Sequence, residues 1–186
     1  AAPGDDSGSA ALARGRRNAV GRETVPLVVC ASLVDKAPNL AGLCRTAEVF
    51  ACEKLVLPDD RCARTKEFKA IAVTAERWIA TEAVAPRDLR PWLLGLKARG
   101  YAVVALEQAT NSTSLAGDAE LPSPAVLLLG REKEGVPGDL MDLCDVCVEI
   151  PQLGVVRSLN VHVSGALAIW HFARQWMARQ RRGGGE

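Results

Sequence analysis

The chain carries almost no net charge: 23 Lys and Arg against 22 Asp and Glu leave +1 over 186 residues. A global positive field is therefore not available to draw in a polyanion, and any nucleic-acid contact must come from local patches. The first residues are mostly Ala, Gly, Asp and Arg, without the apolar stretch of a secretory signal. No apolar run approaches the roughly 20 residues of a membrane span, so no membrane partner is expected. There is no Gly-x-Gly-x-x-Gly turn, so a dinucleotide site of that kind is not supported. Only two histidines occur, His162 and His171, and both fall in the expected last helix. Cys144-x-x-Cys147 has no second ligand pair at matching spacing and offers half of a zinc shell, so no metal is expected. The six cysteines (30, 44, 52, 62, 144 and 147) read as reduced, mostly buried thiols, as in a cytoplasmic or nuclear protein. No internal repeat is visible.

What remains is an ordinary mixture, 48% apolar and 24% charged, of a length that suits one domain. Residues 1–22 read as a flexible leader, 23–180 as the domain and 181–186 as a flexible tail. Short Val- and Leu-rich runs at 27–31, 54–57, 102–106, 125–129 and 146–150 read as strands buried on both faces. Helical patterns lie between and after them, at 40–50, 64–70, 86–99, 138–143 and 158–178. Pro86 suits a first turn and Gly100 a helix stop. In the last helix Leu159, Val163, Ala166, Trp170, Ala173 and Met177 recur as one apolar stripe. Alternating strands and helices predict an α/β domain, a mostly parallel sheet with helices on both faces.

Three segments concentrate chemistry. The first is Asn39-x5-Arg45. The second is the apolar run ending Leu129-Gly130-Arg131-Glu132-x-x-Gly135. The third runs Ile150-Pro151-x-Leu153-Gly154-x-x-x-Ser158-Leu159-Asn160-Val161, a turn of exposed backbone groups that leads into the last helix. In an open α/β sheet, ligands bind at the carboxyl ends of strands, and a glycine there permits close approach to the backbone. By themselves the polar residues also have plain structural readings. Asn39 and Ser158 are candidate helix caps. Glu132 is a candidate solvated loop carboxylate. Arg45 is a candidate surface partner of Glu48.

Taken together and in this order, the three segments resemble the motifs of the SPOUT RNA 2′-O-ribose methyltransferases, over roughly residues 25–180. They are most similar to the branch that methylates guanosine 18 of the tRNA D-loop, as are Ala75-Glu76-Arg77-Trp78 and Leu106-Glu107-Gln108-Ala109-Thr110-Asn111-Ser112. The resemblance implies a C-terminal trefoil knot, a homodimer and S-adenosylmethionine as methyl donor. It implies that Gly130, Ile150, Leu153 and Leu159 bind that donor, with Glu107 at its fringe. It implies Arg45 as the central catalytic group, supported by Asn39, Glu132, Ser158 and Asn160. As a residue type arginine gives up its proton reluctantly, so two roles stay open for Arg45: taking the proton of the 2′-hydroxyl, or holding the adjacent phosphate in its planar fork. Expected substrates are tRNA first, then ribosomal or another RNA; a non-catalytic RNA-binding module is the rival reading.

Two positions depart from the family pattern. Arg131 replaces a small polar residue, and His162 replaces a small one after Asn160-Val161. Arg131 is a candidate for an RNA phosphate. Arg61, Arg64, Lys66 and Lys69 form a basic cluster interrupted by Glu67, either a solvated face or a second phosphate contact. The near-neutral charge and the linker-like start lead to one more expectation. This chain belongs to a longer protein whose upstream region captures the RNA.

Overall fold

The computed structural model describes residue 18 and residues 21–117, 120–156 and 158–183. Among them, seven strands form one sheet: β1 (Val25–Cys30), β2 (Cys52–Leu57), β3 (Thr81–Ala83), β4 (Ala102–Leu106), β5 (Thr113–Ser114), β6 (Ala125–Leu129) and β7 (Val146–Glu149). Their order is β3-β2-β1-β6-β4-β7-β5, and every neighbouring pair is parallel. The two strands with no counterpart in the sequence reading, β3 and β5, are three and two residues long and form the edges.

The strands bury alternate residues into two cores, as the two-residue period of a strand dictates. Leu27, Val29, Leu55, Leu127 and Leu129 point to one face. There they meet α1 (Ala37–Val49), α2 (Lys66–Ala72) and α5 (Val161–Gly183). Val28, Cys30, Val56, Val126 and Leu128 point to the other, under α3 (Leu89–Ala98) and α4 (Gly138–Met141). The expected layers are present, and they explain why the central strands read as unbroken apolar runs.

Local chemistry sets the helix ends. Thr65 caps α2 by accepting from Phe68 N at 3.1 Å. Gly100, at φ 86°, ends α3, and Tyr101 N–H turns back to Leu96 O at 3.1 Å. That is the bond pattern a left-handed stop residue makes. Pro86 opens a single 3-10 turn before α3 rather than α3 itself.

The last helix corrects the sequence reading in three ways. It begins at Val161 and not at Ser158. It runs through 181–183, where a tail was expected. Its core-facing stripe is Val161, Gly165, Ala168, Ile169, Phe172, Ala173 and Trp176, which shares only Ala173 with the stripe inferred from spacing. Val163, Leu167 and Trp170 face outward, Trp170 at 45% exposure. Leu159 precedes the helix altogether. The two stripes interleave on a helix whose apolar residues lie on more than one side, so periodicity alone could not choose between them. Of the expected leader, Asn18, Gly21 and Arg22 form a hydrogen-bonded turn; residues 1–17, 19 and 20 lie outside the described part, as do 184–186.

Candidate active site

β4, β6 and β7 lie side by side and end together, so the loops after them share one rim. Glu107 and Gln108 follow β4, 130–135 follow β6, and 150–160 follow β7. Between these loops lies a cavity of about 560 Å³. Leu106, Leu129, Ile150, Leu159 and Val161 give it an apolar side; Lys36, Glu132, Ser158 and Asn160 stand among its polar groups.

The loop after β6 is a tight hairpin. Arg131 and Gly135 exchange both backbone hydrogen bonds, at 2.9 and 3.0 Å. A Cβ at Gly130 would lie 2.6 Å from the carbonyl carbon of Gly135 and 2.8 Å from Val136 N. The glycine is thus required by the hairpin's own backbone, apart from any ligand that approaches it. Glu107 holds the hairpin's base: its Oε2 accepts from Val136 N at 3.1 Å and occupies the place a Cβ on Gly135 would need. Gly135 sits at φ 69°, where glycine is favoured.

At the hairpin tip, Glu132 reaches α1. Its Oε1 accepts from Asn39 Nδ2 at 2.5 Å, and its Oε2 takes the ammonium of Lys36. Asn39 Oδ1 in turn accepts from Asn160 Nδ2 at 3.0 Å. Asn160 Oδ1 accepts from His162 N at 2.9 Å and Val163 N at 3.3 Å. Asn160 is therefore the cap of α5, the place proposed for Ser158, and its amide also tethers α1. Ser158 is left exposed on the cavity wall. Asn39 is likewise not a cap; it lies inside the first turn of α1, buried with its side chain turned toward the rim. One run of hydrogen bonds, Asn160 to Asn39 to Glu132 to Lys36, ties together all three sequence segments.

The remaining candidates are spread more widely. Gly130, Arg131, Glu107, Ile150 and Leu159 line the cavity. Leu153 is fully exposed and stands outside the lining. Arg131 pairs with Glu134 at 3.0 Å. Arg45 is exposed on α1, six residues past Asn39 and outside the cavity lining, and no hydrogen bond or ion pair joins it to another described residue, Glu48 included. Arg61 lies 3.9 Å from Asp59, Arg64 ends a 3-10 turn, and Lys66 and Lys69 are on α2. All four are exposed and outside the lining.

Lys36, Gln108, Gln152 and Ser164 also line the cavity and were missed. Lys36 has no signal in sequence, because its partner Glu132 is 96 residues away. Cys144 and Cys147 donate their thiols to the carbonyls of Leu140 and Glu107, each at 3.4 Å, and burial is the main force raising both thiol pKa values. No group of three or more metal-ligating side chains occurs among the described residues.

Residues 26–170 match the SpoU rRNA Methylase family. The chain is 47% identical over 156 residues to the tRNA (guanosine(18)-2′-O)-methyltransferase of Mus musculus, covering 84% of this chain and 10% of that protein. The first curated relatives it matches are thus about ten times its span. It is similar in structure to the TrmH/SpoU tRNA modifying enzyme of A. aeolicus, with a TM-score of 0.73, 26% identity, and 86% of this chain and 78% of that one covered. An AdoMet-bound rRNA methyltransferase from Sinorhizobium meliloti shares the fold, with a TM-score of 0.68, 23% identity, and 80% and 55% covered.

Proposed function

Because the chain belongs to the SpoU rRNA methylase family, we propose that it transfers a methyl group from S-adenosylmethionine to a ribose 2′-hydroxyl of RNA, with guanosine 18 of tRNA, the nucleotide named for its mouse relative, as target. The observation that carries this reading is the hydrogen-bond run from Asn160 to Lys36, which assembles three distant segments at the mouth of one cavity.

The cavity fits the donor. Its volume of about 560 Å³ lies within the range of small-molecule sites, and it pairs an apolar wall with backbone groups at its rim. Leu106, Leu129, Ile150 and Leu159 would hold an adenine ring, with the hairpin 130–135 closing one side. When bound, S-adenosylmethionine supplies a methyl group on a positively charged sulfur, already attached to a good leaving group. Positioning the hydroxyl and removing its proton are then most of the task left to the protein. Both oxygens of Glu132 are engaged, so it serves to hold Asn39 and Lys36 in place. Ser158, free of capping, can meet the ribose. Arg45, unpaired among described residues, can meet the phosphate beside it.

The test is Arg45→Ala. Methyl transfer in a single turnover should fall by about two orders of magnitude, the scale of a lost charge clamp or proton acceptor. Affinity for S-adenosylmethionine should hold. Parental turnover would sink this reading. The family's description names ribosomal RNA, and the same rim would serve it; tRNA and ribosomal transcripts compared side by side decide between them.

Three further features belong to the proposal. A homodimer is supported by the outward stripe of Val163, Leu167 and Trp170, extended by Val49 and by Phe50, whose ring centroid lies 5.4 Å from that of Trp170. A trefoil knot is supported by the way 130–135 wall one cavity together with Ile150, Gln152, Ser158, Leu159 and Asn160, while Gly165 of α5 packs on Leu43 and Leu129. Capture of RNA by a region outside this chain is supported by the small share of the relatives' length that it spans and by its net charge of +1.

A further inference from the structure

The imidazole of His162 fills a notch in α1. A Cβ at Gly42 would meet the ring, its Cγ at 2.7 Å. Four residues on, and so on the same face of α1, Thr46 Oγ1 lies 3.1 Å from His162 Nε2. His162 is the second residue of α5, and its own N–H donates to the capping Asn160. The two helices are thus joined by two separate links. One is Asn160 to Asn39, in the first turn of α1. The other is His162 to Thr46, about 10 Å further along at 1.5 Å per residue. A helix held at two such points can neither roll nor slide on its neighbour. Arg45 directly precedes Thr46, and no described bond holds its side chain, so the seating of α1 decides where the guanidinium can reach.

We propose that His162 is a positioning residue: its imidazole, wedged over Gly42 and bonded to Thr46, fixes the rotation of α1 and so the direction from which Arg45 meets the substrate. The inference rests on the functional reading of Arg45 given above. A small residue at position 162 would leave the notch at Gly42 open and Thr46 without this bond.

The test is single-turnover methyl transfer from labelled S-adenosylmethionine to an unmodified tRNA transcript, using the full protein. His162→Ala and Thr46→Val should each slow the step by about tenfold to a hundredfold, the scale of a small misplacement. Affinity for S-adenosylmethionine, read by calorimetry, should stay within about twofold, because neither residue lines the cavity. His162→Gln, whose amide can still meet the Thr46 hydroxyl, should recover most of the rate and guards against a fold lost in His162→Ala. In an Arg45→Ala background, adding His162→Ala should change nothing further. Parental rates for both His162→Ala and Thr46→Val overturn the proposal. So does an equal fractional loss with and without Arg45, which makes His162 merely structural. A slow Arg45→Ala beside a fast His162→Ala sinks this inference alone; a fast Arg45→Ala sinks the functional reading and this inference with it.

Discussion

A methyl group added at Gly130 would run into the backbone of Gly135 and Val136, at 2.6 to 2.9 Å. Backbone cannot swing aside as a side-chain end can, so Gly130→Ala should destabilise the protein by about 1–3 kcal/mol, the usual cost of overpacking. It should also weaken S-adenosylmethionine binding by opening the hairpin. Thermal melts and calorimetry together check this, and an unchanged melting temperature would refute the backbone argument. Titration follows from single residues as well. Burial pushes the thiols of Cys44 and Cys52 from 9.0 up to about 12, and those of Cys30 and Cys144 to about 11. A raised thiol pKa leaves its stabilisation intact below 9.0 and loses it as pH climbs toward the folded value. Burial shifts His162 the other way, below 6.5. Its contribution is intact above 6.5 and erodes as pH falls, because the unfolded chain takes up a proton the buried ring resists. Urea unfolding across pH should therefore show stability declining above about 9 and below about 6.5, with His162→Gln flattening the start of the acid side. An acid limb unaltered by that substitution would exclude His162 as its source.

Among the elements, the central strands and most helices were legible because β1, β2, β4, β6 and β7 carry dense Val and Leu runs bounded by turns. β3 and β5 were not, since two or three edge residues hold no period to read. The site was legible as a set of motifs, whereas its wiring was not. Nothing local says that Asn160 rather than Ser158 caps α5, or that Glu132 takes Lys36. Those pairings depend on loops that meet only after the sheet has formed. The double duty of Asn160 can be separated. Asn160→Asp keeps an oxygen for His162 N and Val163 N but loses the donor to Asn39. It should melt near the parent and methylate poorly. Asn160→Ala loses both roles and should in addition cost about 1 kcal/mol of stability, as lost caps do. Equal melting and equal rates for the two variants would contradict this division.

At the scale of the whole molecule, the proposed homodimer rests on the outward stripe of α5. Trp170→Glu, placing a charge beside Val163 and Leu167, should convert a dimer to a monomer in sedimentation while leaving the core stripe of Ile169 and Phe172 untouched. A parental sedimentation profile would move the interface elsewhere. The rim network has a second consequence, for the order in which a working molecule comes into being. Its bonds span 93 residues from Asn39 to Glu132 and 121 from Asn39 to Asn160. During synthesis, the residues of every strand that bounds the cavity are made before Asn160. A chain released early at position 150 would carry the residues of all seven strands yet lack the last wall and the whole of α5. Affinity for the proposed methyl donor would thus act as a seal on the finished product, set only once translation has passed the start of the last helix.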